Sequence, residues 1–131
     1  MLKSKILRKK IFGVSMLSML LVGATTQVFA TPRTYSDYIL PVKQGNNYTG
    51  VHMCGGDAIS NKVTGLSGTD QVTMWVANVN HVQTSNDYYF KKGSQQEMWG
   101  YLSGDEACVG MENSHYYNYT NGWVSGSADW K

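Results

Sequence analysis

The stretch "QVTMWVANV" covers residues 71–79. Val72, Met74 and Val76 alternate with Thr73, Trp75 and Ala77, so an extended chain here turns three apolar side chains to one side and a mixed set to the other. Helical periodicity is nearly absent elsewhere, and similar short segments recur at 38–43, 48–53, 87–92, 97–103, 107–112 and 122–130. Between them lie the turn-forming runs "QGNN", "GLSGTD", "TSND", "KKGS", "SGDE" and "YTNG". Glycine, asparagine and aspartate supply the dihedral freedom or local hydrogen bonds that reverse a chain. The pattern predicts an all-β protein, a small antiparallel β-sandwich of about seven strands. Pro41 assigns the first strand to a sheet edge or a bulge, because proline offers no ladder donor. Residues 31–37 read as a mobile lead-in, whereas the last strand runs almost to Lys131 and is expected to be paired. There Val124, Gly126, Ala128 and Trp130 share one face and Trp123, Ser125 and Ser127 the other, with Gly126 marking a bulge or a close approach.

The first thirty residues read as a cleaved signal peptide. Five basic residues (Lys3, Lys5, Arg8, Lys9, Lys10) precede the apolar run "IFGVSMLSMLLVGA" at 11–24, and "VFA" at 28–30 supplies a cleavage site. That run is shorter than the roughly 18 residues of a membrane span. The expected plan is therefore a signal peptide at 1–30 and one secreted domain at 31–131, without stable membrane insertion. From Thr31 onward six basic residues stand against nine acidic ones, a formal net of −3 against +2 for the whole chain. Binding to nucleic acid depends on clustered Lys and Arg, and only Lys91 and Lys92 are adjacent here. Oligomeric state has no signature in the sequence.

Cys54 and Cys108 are the two cysteines of the chain. In an exported domain of this size they are expected to form a disulfide, which would stabilise it by about 4 kcal/mol through loop closure. The alternative in "VHMCGGDAIS" (51–60) is a nucleophilic Cys54 with His52 as base. Two residues apart on a strand, the side chains stand parallel and do not converge, and His81 and His115 have no required proximity. No zinc-binding spacing occurs among the histidines, and "SGTD" and "SGDE" lack the acid ladder of a calcium loop, so neither metal nor cofactor is expected. Neither G-x-S-x-G nor S-x-x-K occurs after residue 30. Asp105, Glu106 and Glu112 are the acids that could form a carboxylate pair for glycoside hydrolysis, although acids in glycine-flanked turns are ordinarily solvated.

The aromatic residues remain. All nine tyrosines and four tryptophans follow residue 30, and "HYYNYTNGW" (115–123) places four aromatics within nine residues. Trp75, Trp99, Tyr101 and Trp123 fall at strand positions, where core packing accounts for part of the set. Tyr116, Tyr117, Tyr119 and Trp123 are the candidate binding residues, suited to stacking on a glycan or meeting an envelope surface.

The segments "QVTMWVANVN", "KKGS" and "ACVGMENSHYYNYTNGWVSGSADWK", within roughly residues 70–131, resemble a family of small exported all-β proteins of Gram-positive bacteria known as a domain of unknown function. More distantly the plan is similar to lactococcin 972-like bacteriocins, which are also secreted β-sandwich polypeptides but are shorter and usually cysteine-free. The resemblance implies an exported β-domain and, by analogy of plan, a non-enzymatic, bacteriocin-like effector acting on a cell-envelope component. A carbohydrate- or cell-wall-binding module of the producing cell is the alternative. No catalytic residue carries over from either group.

Overall fold

A computed structural model describes residues 32–101 and 103–131. The predicted signal peptide, residues 1–30, lies outside the described residues. Nine strands form: β1 (Arg33–Leu40), β2 (Asn47–Tyr48), β3 (His52–Met53), β4 (Ala58–Ser67), β5 (Val72–Asn78), β6 (Tyr88–Phe90), β7 (Gln95–Trp99), β8 (Glu106–Asn113) and β9 (Gly122–Asp129). They build two antiparallel sheets, one ordered β1-β9-β4-β7 and the other β2-β8-β5-β6, with β3 also paired to β8.

The alternation of β5 places Val72, Met74 and Val76 in the core between the sheets. Val109 and Met111 of β8 join them, as do Ile59, Val63, Met98 and Val124 of the opposing sheet. Fully burying one such side chain is worth about 1.5–3 kcal/mol, so this layer holds the sheets face to face. The other face of β5 is buried too. Trp75 and Ala77 pack with Cys108, and Tyr48 covers the cluster from the side. Gly110 makes room for this arrangement, because a Cβ there would collide with the Trp75 indole.

β9 pairs with both β1 and β4, so the C-terminal strand is paired, as expected, and lies in the interior of its sheet. Gly126 is the predicted close approach. It opposes Tyr35 on one side and Val63 on the other, and a Cβ would run into the Tyr35 ring and the Lys62 carbonyl. Both ladders shift register beside it, between Tyr35 and Tyr38 and between Val63 and Gly65. In the first bulge Asp37 takes a left-handed φ of 53°, and its N–H is accepted by Ser125 Oγ at 2.9 Å.

Two expectations are corrected. Edge strand β1 on β9 begins at Arg33, so residues 33–37, expected as part of a mobile lead-in, are paired ahead of the strand expected from 38. Strand β4 was missed, and the expected 48–53 strand is two short ones, β2 and β3, which together raise the count from seven to nine. Its Ser60-Asn61-Lys62 run breaks the apolar alternation, yet Asn61 is fully buried. Its side chain accepts from Tyr35 Oη at 3.1 Å and donates to Met74 Sδ at 2.9 Å, joining the sheets through a satisfied polar contact. Burial outweighs that hydrogen bond and pushes the Tyr35 phenol up to about 12.

Candidate binding site

The segment between β8 and β9 carries the tyrosines across from one sheet to the other. Tyr116, Tyr117 and Tyr119 are 53%, 79% and 76% exposed. The first two meet edge to face with ring centroids 5.5 Å apart. Trp123 follows on the outer face of β9, 40% exposed, opposite the exposed Ile39 of β1. The four candidate residues therefore lie outside the core, three on a connection and one on a strand.

What fixes this connection is Asn113, the last residue of β8. Its side chain is fully buried, and Oδ1 accepts from Thr69 Oγ1 at 3.2 Å, the His115 N–H at 3.0 Å and Asn118 Nδ2 at 3.1 Å. The Asn118 N–H closes a turn onto the His115 carbonyl at 3.1 Å. His115 Nε2 then donates to Asp70 Oδ1 at 2.6 Å, which fixes the connection to the β4–β5 turn. This hydrogen bond holds the exposed Asp70 carboxyl below its ordinary value. Sequence reading missed this anchorage. The bond from an asparagine side chain to the N–H two residues on is a recognisable turn signature, and "NSH" carried it.

The predicted Cys54–Cys108 disulfide is not formed, and both thiols are free and buried. Cys54 lies in the core between the sheets, while Cys108 faces the opposite side of β8 with Trp75 and Ala77. The Cys54 N–H is accepted by the carbonyl of Asp105, the residue before β8 and three back from Cys108. Three residues of strand rise amount to about 10 Å, beyond the reach of an S–S bond even without the difference in face.

The catalytic alternatives are placed as clearly. Burial, reinforced by the Asp105 charge against a hydrogen bond from Tyr101, pushes the Cys54 thiol up to about 11. This is opposite to the shift that activates a nucleophile. His52 turns its ring to Trp130, with centroids 4.9 Å apart, and its pKa is lowered by burial and by Arg33. Among the described residues no group of three or more His, Cys, Asp or Glu could hold a metal. Glu106 and Glu112 stand six residues apart on β8, roughly 20 Å by strand rise, well over the spacing of a glycosidase pair. No described helix is long and apolar enough to cross a membrane.

No family model, curated protein or solved structure matches this chain.

Proposed function

We propose that the protein is a secreted, non-catalytic binding protein of the bacteriocin-like kind, which engages a cell-envelope component through Tyr116, Tyr117, Tyr119 and Trp123. The observation that carries this reading is the contrast within residues 113–119. A buried asparagine fixes the backbone while three tyrosine rings stand in solvent. Tyrosine combines an apolar face with a hydroxyl and has few rotatable bonds, so a fixed tyrosine loses little entropy on binding. Glycan rings and envelope surfaces both match such a platform. The raised Cys54 pKa and the span between Glu106 and Glu112 support the non-catalytic part of the reading.

The test is retention on isolated cell envelopes. The protein is expected to bind, and a variant with Tyr116, Tyr117 and Tyr119 changed together to Ala should lose at least about tenfold in affinity with its fold intact. Unchanged retention would remove the tyrosines from the site. Preference for envelopes of the producing cell over those of competitors would favour the wall-binding module over the bacteriocin-like effector.

A further inference from the structure

Where β1 of one sheet faces the β2–β3 connection of the other, the sandwich carries a small pocket that the tyrosine site does not use. It lies among Arg33 and Tyr38 of β1, Thr49 and Gly50 of the connection, His52 and Trp130, and measures about 50 Å³. A water molecule takes up about 30 Å³ of liquid, so this space suits a single group of a few heavy atoms. Arg33 shares the parity of Tyr35, which is buried in the core, so β1 turns Arg33 inward at the mouth of the sandwich. The facing wall is fixed without a ligand. The Thr49 N–H donates to the Val109 carbonyl at 2.9 Å, and Thr49 Oγ1 accepts from the Val109 N–H at 3.0 Å. A Cβ at Gly50 would sit 3.8 Å from His52 Nε2, which puts that nitrogen beside the lining backbone.

The pocket collects donors that the fold leaves unused. Trp130 is 3% exposed, and its buried indole N–H has no acceptor among the described residues. An unpaired donor of this kind costs about 1–3 kcal/mol. Among the described residues the Arg33 guanidinium forms no ion pair, and neither the His52 ring nor the Tyr38 hydroxyl forms a hydrogen bond. The His52 and Trp130 rings are in contact, and His52 senses the Arg33 charge, which adds to burial in lowering its pKa. No aspartate or glutamate is among the described residues lining the pocket. An inward charge also discourages pairing at an edge strand, but edge protection gives the orphaned indole N–H no role.

From this arrangement we infer an anion site: the pocket takes one oxyanion group, a carboxylate or a phosphate, which pairs with Arg33 and accepts from the Trp130 indole N–H, with His52 and Tyr38 beside it. Both groups suit arginine, whose planar fork can bond two oxygens at once. A cation would meet the guanidinium and no carboxylate, and an apolar group would leave the indole N–H unpaired. The site is separate from the tyrosine connection and does not rest on the envelope-binding reading.

The test is an NMR titration of the labelled protein at neutral pH with sodium acetate and with inorganic phosphate, each against sodium chloride at the same ionic strength. The Trp130 indole N–H and the His52 ring signals are expected to move together along a saturable curve, with a Kd on the order of 10 mM or below. Tighter acetate assigns a carboxylate, and tighter phosphate assigns a phosphate. Arg33→Gln, at an exposed edge position, should weaken binding about tenfold, and Arg33→Lys, which keeps the charge without the fork, should weaken it less. Trp130→Phe keeps the ring packing and should cost about threefold. If that variant does not fold, the two Arg33 variants still decide. Shifts that chloride reproduces, no saturable shift up to about 100 mM of either anion, or unchanged affinity in Arg33→Gln would each overturn the assignment.

Discussion

The two ends of strand β8 solve opposite problems. At Asn113 one buried amide oxygen gathers three donors, and the chain beyond it projects tyrosines outward. At Glu106 backbone bonds from Cys54 and Gly104 hold the chain around a hollow lined in part by Met53, Val79 and Ala107. The first end is convex and aromatic, the second concave and largely apolar. Between them β8 runs through the interior of its sheet, so the ends can be altered separately. A sandwich of modest size thus offers two chemically distinct surfaces on one continuous strand.

The most damaging change should be at the middle of β8, which both ends share. Gly110→Val would drive a side chain into the Trp75 indole and is expected to cost about 3 kcal/mol or more in denaturant unfolding, disordering both ends. Asn113→Ala should cost about 2 kcal/mol, because the His115 N–H and its neighbours lose their acceptor. Its sharper signature is local. Amide exchange should accelerate at 114–121 while Cys54 and Gly104 stay protected. Ser103→Ala is the mirror experiment, removing the bond to the Gly55 carbonyl for about 0.5–1 kcal/mol and loosening the concave end alone.

The smallest effect is a pH dependence confined to the tyrosine end. Asp70 is held below its ordinary value of 3.8 by His115, so the contact is complete at neutral pH and weakens as pH falls through the lowered pKa. Heteronuclear NOEs at Tyr116–Tyr119 should fall below about pH 4, and Asp70→Asn should reproduce this at pH 7 with little change in Tm.

The same comparison explains what could be read in advance. The tyrosine end was legible because its residues are neighbours in sequence and the alternation of β9 assigns Trp123 to the outer face. The concave end was not legible, because Met53, Val79, Tyr101 and Glu106 meet through three strand pairings that no local pattern encodes. Strand β4 escaped for a related reason: Asn61 looks like a surface residue until Tyr35 and Met74 satisfy it in the core. The cysteines carry a more specific lesson. In "ACVGME" Val109 and Met111 face the core, so Cys108 at the intervening parity faces outward, and the period of two argued against the bridge. Alkylation with mass measurement should accordingly find two free thiols, unreactive until the protein is unfolded and unchanged in mass by prior reductant.

The most direct measurement is an NMR titration of the labelled protein with solubilised envelope glycan fragments, reading both ends of β8 in one sample. Shifts concentrated at Tyr116, Tyr117, Tyr119 and Trp123, with Met53 and Gly104 unmoved, are the expected result. Shifts at Met53 and Gly104 with the tyrosines silent would contradict the assignment of envelope binding to the aromatic end.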